Sequence, residues 1–196
     1  MTVSYDILVQ GNSLKLADGF LGISTITLLH TANGPMLVDV GGYNTRLALL
    51  DGLKAHGLTP SDIKLIVLSH LHFDHAHNID LFPNAKFVLS RDEWDYAESP
   101  HKGDLFMPWG IRDYLAARPN ELIGSGGSVA PGVDLFPAPG HTPGLIAAEF
   151  DHTDRGRVVV ACDAIKYARE ALEARCDMEF DPQKRGTATI RHILDR

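Results

Sequence analysis

The chain has 196 residues, of which 44% are hydrophobic and 22% are charged, a composition that can bury a core and that excludes intrinsic disorder as the main state. This length predicts a single domain over residues 1–196. The formal net charge of −7 supplies no positive field for a polyanion, so we expect neither a nucleic-acid partner nor a membrane surface. Two cysteines cannot build a disulfide framework, and the N-terminus has no signal-peptide pattern, which together predict a cytoplasmic protein. No apolar run reaches the about 18 residues of a membrane span.

Alternation, apolar runs and helical spacing predict a series of strands and helices along the chain. Asn33-Gly34 favours a tight hairpin turn because these residues adopt positive φ angles, and Leu47, Leu50 and Leu53 lie at helical spacing. The predicted elements are strands over 25–30 and 35–40, a helix over 45–56, strands over 63–68 and 86–89, a helix over 91–98, a surface excursion over 100–131 with a short helix over 111–117, strands over 133–136, 145–150 and 157–161, and a last helix that begins at Asp181-Pro182. This order predicts a layered α/β or α+β domain.

Four of the ten histidines fall within eight positions, directly after the apolar strand over 63–68. Residues two apart in an extended segment point to the same side, so His70 and His72 can present their imidazoles to one point. Asp74 and His75 follow the turn and can supply a second convergent pair. Three histidines and a carboxylate at this spacing are typical of a metal site. The alternative is a histidine-rich exposed turn.

Two later loops strengthen the interpretation of a metal site. His141 stands between two Pro-Gly pairs in residues 138–144, a rigid loop that can fix an imidazole. Asp163 ends the apolar segment 157–163, where a charge is costly unless it is paired or coordinated. Asp163 is therefore a candidate bridging ligand between two metals.

Together these motifs resemble the metallo-β-lactamase superfamily. The resemblance rests on Val38-Asp39-Val40-Gly41 after the hairpin, His-x-His-x-Asp-His at 70–75, Gly-His-Thr-Pro-Gly at 140–144 and Asp163. Residues 70–76 and Phe180-Asp181-Pro182 resemble the branch that opens N-acyl homoserine lactones. The resemblance implies an α+β fold, a four-layer αββα sandwich with the metals at one edge of its two sheets. It also implies His70, His72 and His141 on a first metal, Asp74 and His75 on a second, and Asp163 between them.

The same resemblance implies two divalent metal ions as cofactors, with zinc as the default and iron, manganese or cobalt as alternatives. Two such ions would share a water and lower its pKa, giving a hydroxide that attacks the carbonyl of a small ester, most simply a lactone. Asp74 would also pass the proton to the leaving group. Tyr167 would donate a hydrogen bond to the substrate carbonyl, although packing at a helix start is an equal alternative for this residue.

The sequence departs from the family pattern after Asp163. The family has a further metal histidine on a loop beyond a helix and a strand, but residues 164–196 offer only His192, inside the predicted last helix. Either a C-terminal piece with the last strand is missing, or the second metal is weakly held or absent. His77 and Cys162 occupy positions where the family favours glycine, and we predict an exposed imidazole and an ordinary buried thiol there.

Other functions remain open at this point. A thioester hydrolase of the hydroxyacylglutathione type and a non-catalytic metal-binding protein share the same motifs, whereas a β-lactam hydrolase fits the pattern around Asp74 less well. Leu105, Phe106, Met107 and Trp109 lie in the excursion and could line a pocket for an acyl chain. The alternatives for these four are a small satellite core or a dimer interface, so a second copy of the chain is a candidate partner.

Overall fold

The structure is a computed structural model and describes residues 2–196. Its strands are β1 Ser4–Val9, β2 Lys15–Leu16, β3 Gly19–Phe20, β4 Ile26–Thr31, β5 Gly34–Val38, β6 Leu65–Val67, β7 Lys86–Ser90, β8 Asn120–Ile123, β9 Gly127–Ala130, β10 Val133–Pro137, β11 Ile146–His152 and β12 Gly156–Val160. Its α-helices are α1 Arg46–Ala55, α2 Phe73–Ala76, α3 Arg91–Tyr96, α4 Ile111–Ala116, α5 Ala168–Glu173 and α6 Gly186–Leu194.

These strands form two main sheets. The first has six strands in the order β1-β4-β5-β6-β7-β8, antiparallel from β1 to β5 and parallel from β5 to β8. The second has four antiparallel strands in the order β12-β11-β10-β9, and β2 and β3 form a separate small hairpin. The predicted strands over 63–68, 86–89, 133–136, 145–150 and 157–161 are all present, with shifted ends.

Four layers follow from the alternation of apolar side chains along the first sheet. Ile66 faces α1 and α4, whereas its neighbour Val67 faces the second sheet, because successive side chains of a strand point to opposite faces. On the outer face of the second sheet, Phe136 and Ala147 pack with Ile193 of α6. The layers therefore run helix, sheet, sheet, helix, and the predicted αββα sandwich is confirmed.

Helix α1 forms where it was predicted and buries one face against the first sheet. Leu49 and Leu53 are fully buried, while Leu47 has 78% of its surface exposed. The spacing of Leu47, Leu50 and Leu53 is helical, but Leu49 and Leu53 lie four residues apart and meet the first sheet together. The prediction of the helix is confirmed, and its buried face contains Leu49 and Leu53 but not Leu47.

The hairpin between β4 and β5 is confirmed, with Thr31 paired to Gly34 across the turn. Positive φ is found at Gly34 (105°) but not at Asn33, so the glycine alone meets the conformational demand of the turn. This hairpin does not start the fold, because β1 precedes it and pairs with β4.

The last helix begins later than predicted. Asp181 does not cap α6, which begins at Gly186. Its carboxylate instead accepts hydrogen bonds from the backbone N–H groups of Gln183 and Arg185 and from the Arg185 guanidinium, closing a turn ahead of the helix. In residues 2–196 no strand follows α6, and no helix combines the length and apolar composition needed to cross a membrane.

Candidate metal centre

The predicted site residues meet at one edge of the sandwich. Residues 68–75 continue from the end of β6, residues 138–145 connect β10 to β11, and Asp163 follows β12. The backbone carbonyl of Ser69 accepts a hydrogen bond from the N–H of Ile146 at 3.0 Å, which ties the first loop to the second sheet. The fold therefore gathers side chains that lie up to 93 positions apart, from 70 to 163, at one edge.

Three imidazoles form the first group, with one nitrogen each from His70, His72 and His141 mutually within 4.8 Å. Nε2 of His72 lies 2.9 Å from Oδ2 of Asp104, and Nδ1 of His141 lies 3.3 Å from the carbonyl oxygen of Met178. Each of these contacts requires the imidazole to donate its N–H. The opposite nitrogens, Nδ1 of His72 and Nε2 of His141, then present lone pairs to each other at 3.0 Å. Two facing lone pairs are favourable only with a cation between them.

A second group consists of His70, His75 and Asp163, again with one donor atom each within 4.8 Å. Oδ1 of Asp163 lies 3.3 Å from Nε2 of His75, and Oδ2 lies 3.3 Å from Nε2 of His141. The carboxylate of Asp163 thus stands between the two groups, with one oxygen toward each. Asp74 lies slightly farther out, with Oδ2 at 3.9 Å from Nε2 of His75.

Asp39 positions the second group, and sequence reasoning gave it no role. Its buried carboxylate accepts hydrogen bonds from the N–H of Ser69 at 2.7 Å, from the Ser69 hydroxyl at 2.8 Å and from Nδ1 of His75 at 2.7 Å. The His75 bond fixes the tautomer that leaves Nε2 free to accept or to bind a cation. Asp39 has φ of 62°, a left-handed conformation that aspartate tolerates better than most residues. The sequence feature that could have identified Asp39 is its position as a charged residue at the end of a buried strand.

Asp104 positions His72 in the same way and was also missed. It lies in the excursion, buried, and it accepts hydrogen bonds from His72 and from the hydroxyl of Tyr96 at 2.7 Å. Its two neighbours in sequence, Gly103 and Leu105, carry no pattern that singles it out. Only the folded structure brings residue 104 to within hydrogen-bond distance of residue 72.

Burial and charge set the protonation of these groups. Burial and the neighbouring imidazoles lower the pKa of His70 well below its usual value, and burial lowers that of His141 to about 3. Burial opposes the charged form of His75 too, but the carboxylates of Asp163, Asp39 and Asp74 raise the pKa of His75 well above its usual value. Burial raises the pKa of Asp74. His70 and His141 are therefore neutral at pH 7, the form in which imidazole binds metal ions.

The donors present fit a pair of divalent ions. Nε2 of His70 and Nε2 of His75 are buried and have no hydrogen-bond partner among residues 2–196. Buried imidazole nitrogens without a partner are costly, and a cation would satisfy both. Imidazole and carboxylate donors suit zinc, iron, manganese or cobalt. Cys162 adds no thiolate ligand, because burial raises the pKa of its thiol well above the usual value. The backbone φ of Cys162 is 47°, a left-handed conformation that glycine adopts easily, which explains why glycine suits this position.

Three further candidates lie outside the two groups. The hydroxyl of Tyr167 lines the same cleft but donates its hydrogen bond to Asp177, so in this conformation its proton is not directed at a substrate. His192 is exposed on α6, with Nε2 2.8 Å from the guanidinium of Arg196, and it takes no part in the centre. His77 is half-buried and stacks on Tyr43 at 4.7 Å, so the prediction of an exposed imidazole is wrong.

A cleft of about 340 Å³ opens onto the centre. Of the four apolar residues predicted from the excursion, Phe106 lines this cleft, whereas Met107 packs against the core between the first sheet and its helices. Leu105 and Trp109 are exposed to solvent away from the cleft. Of these four residues only Phe106 therefore lines the cleft, and the assignment of Leu105, Met107 and Trp109 to an acyl pocket is wrong. The wall opposite Phe106 is formed by β1 and β12.

Comparison with known proteins gives consistent matches. The sequence model of the Metallo-beta-lactamase superfamily matches residues 19–193. Metallo-beta-lactamase domain-containing protein 1 of Rattus norvegicus is 31% identical over 190 residues, covering 95% of this chain and 69% of that protein. For the proteins of the same name from Mus musculus and Homo sapiens, the match spans about half of their length, 54% and 49%.

Lactonases appear among both the sequence and the structure matches. N-acyl homoserine lactonase of Bacillus thuringiensis is 31% identical over 180 residues, covering 80% of this chain and 69% of that protein. The crystal structure of a quorum-quenching N-acyl homoserine lactone hydrolase superposes with a TM-score of 0.77, at 26% identity, over 100% of this chain and 88% of that one.

Proposed function

This chain belongs to the metallo-beta-lactamase superfamily and is a metal-dependent hydrolase, and we propose that it opens the ester bond of lactones, with N-acyl homoserine lactones as the substrate class. The observation that carries the proposal is the carboxylate of Asp163, which has one oxygen toward His75 and the other toward His141. A carboxylate in this position suits a centre of two ions. The similarity to a lactonase at 31% identity supports the substrate class.

Each protein donor has a role in this proposal. His70, His72 and His141 would hold the first ion, Asp74 and His75 would hold the second, and the carboxylate of Asp163 would contribute to both. When bound, two divalent ions, with zinc as the default, would activate a water and polarise the ester carbonyl. Asp104 and Asp39 keep His72 and His75 in the tautomers that present Nδ1 and Nε2 to the ions.

Asp74 carries the proton to the leaving group. Its carboxylate lines the cleft, beside the two groups of donors, so it reaches both the centre and a bound substrate. Oδ2 of Asp74 therefore takes the proton released by the attacking water and passes it to the alkoxide that the opened ring releases.

The cleft accommodates an amphipathic substrate. Its volume of about 340 Å³ is in the range of small-molecule sites. Ile7 of β1 and Val158 and Val160 of β12 give it an apolar wall, and Phe20 and Phe106 close the other side. An acyl chain along this wall would gain about 0.8 kcal/mol per buried methylene, or about fourfold in affinity. Tyr167 can donate to the ester carbonyl only after its hydroxyl leaves Asp177.

The test is a substrate panel run together with metal analysis. The purified protein is assayed with a pH indicator on N-acyl homoserine lactones of increasing acyl length and on S-acylglutathione thioesters. We expect turnover of lactones, a KM that falls as the acyl chain grows, and loss of both metal and turnover in His70→Ala. His77→Gln is the matched control, since it changes a histidine of the same segment that lies outside both groups of donors. Turnover of thioesters without lactones would replace the proposed substrate class, and full metal content in His70→Ala would refute the assignment of the centre.

A further inference from the structure

A second cluster of metal-binding side chains lies on the opposite side of the first sheet from the cleft. Asp6 is on β1, His30 is on β4, and His56 follows the last residue of α1. Tyr5 and Ile7 of β1 and Thr27 of β4 line the catalytic cleft. Asp6 and His30 lie an odd number of positions from them on the same strands and therefore point to the opposite face, which α1 covers. This cluster therefore shares no residue with the centre described above.

Its geometry is that of a cation site. Oδ2 of Asp6 lies 2.7 Å from Nε2 of His30 and 3.6 Å from Nδ1 of His56. One donor atom from each of the three residues lies within 4.8 Å of the other two. The contact at 3.6 Å is too long for a hydrogen bond, so the carboxylate satisfies only one of the two imidazoles directly. A cation between the three donors would engage all of them.

We propose that Asp6, His30 and His56 form a second, independent site for a divalent transition-metal ion, of which zinc is the representative. Two imidazoles and a carboxylate are donors for zinc, copper, nickel and cobalt and disfavour magnesium and calcium, which prefer oxygen alone. The side chains are 44%, 40% and 31% exposed, in the order Asp6, His30 and His56, so water can complete the coordination. The C-terminal end of α1, next to His56, adds a partial negative charge that favours a cation.

A bound ion would link three separate elements. It would join the edge strand β1 to β4 and to the end of α1, at positions 6, 30 and 56 of the chain. An ion that binds only the folded state stabilises it, so zinc at this site raises the Tm of the protein beyond the effect of the catalytic centre. The site is a structural clamp in this proposal and does not depend on the proposed lactonase activity.

The experiment measures zinc bound by the holoprotein, after equilibrium dialysis against increasing free zinc, in the parent and in the double variant His30→Gln/His56→Gln. We expect the parent to bind one equivalent more than the double variant and to show the larger rise in Tm with zinc. His192→Gln is the matched control, an exposed histidine outside both clusters, and should behave as the parent. Lactone turnover of the double variant should equal that of the parent, which separates this site from the catalytic centre.

A single substitution, Asp6→Asn, guards against an effect of the double variant on folding. It keeps the size of the side chain and both imidazoles but removes the charge, so it should weaken the additional equivalent without removing the fold. Equal zinc content and an equal Tm response in the parent, in Asp6→Asn and in the double variant would overturn the proposal.

Discussion

Replacing Asp39 by asparagine tests how the protein sets the metal-binding form of His75. Oδ1 of Asp39 accepts the Ser69 N–H at 2.7 Å, and this bond orients an asparagine at the same position with its oxygen toward Ser69. The amide NH2 then faces Nδ1 of His75, which must accept instead of donate. The imidazole proton moves to Nε2, the atom that lies 3.3 Å from Asp163 and that the second ion needs. The opposite amide orientation would set NH2 against the Ser69 N–H and cost about 1–3 kcal/mol.

The expected effect is selective for one of the two proposed ions. Loss of such an orienting partner weakens metal binding about 10- to 100-fold, which corresponds to about 1.4–2.8 kcal/mol. Competition between the protein and a chromophoric chelator for zinc should show one equivalent with unchanged affinity, held by His70, His72 and His141, and one that is weakened. Asp134→Asn, at an exposed position of β10, is the matched control and should bind as the parent. Parent-like affinity for both equivalents in Asp39→Asn, in a protein with unchanged Tm, would refute the reasoning.

Three further predictions concern the core, the first ion and the response to acid. Leu49→Ala should lower the free energy of unfolding by about 2–5 kcal/mol because it leaves a cavity, whereas Leu47→Ala should stay within about 0.5 kcal/mol, as measured by urea denaturation. His141→Ala should lose the first ion in elemental analysis, and full retention would contradict the assignment. Burial alone would raise the pKa of Asp181, but the hydrogen bonds and charge of Arg185 lower it below its usual value. The stability that this pair contributes is therefore fully present above the unfolded pKa of about 3.9. It is lost as the pH falls through the lower pKa of the folded state. The stability difference between the parent and Asp181→Asn should therefore shrink between pH 7 and pH 3, and a constant difference would contradict this linkage.

The sequence was most informative where one physical demand determined the residue types. Residues 65–68 had to be apolar because both faces of β6 are covered, and the dense histidines of 70–75 follow at the strand end. His141 and Asp163 could be recognised because a lone imidazole in a rigid loop and a charge at a strand end are both unusual. In these places local pattern and final geometry agree.

The sequence was least informative where pairing or distant contacts decide the structure. Strand β8 was missed because Asn120–Ile123 is only partly buried, and its conformation is specified by the parallel pairing with β7. Leu47 and Leu49 are both leucines on a helix, and only the position of the first sheet decides which of them is buried. Asp104 contacts His72 across 32 positions of chain, a relation that no local spacing encodes.

The centre depends on both sheets being packed together. The loop after β6 in the first sheet supplies His70, His72 and His75, whereas His141 and Asp163 come from connections of the second sheet. Neither of the two three-membered donor groups at this edge can form within one sheet alone, because each combines histidines from the first sheet with His141 or Asp163 from the second sheet. Ion binding at this edge is therefore linked to the packing of the two sheets, and each stabilises the other. By the same linkage, an ion bound by Asp6, His30 and His56 would act within the first sheet and its helix only, so the two sites should respond independently to substitutions.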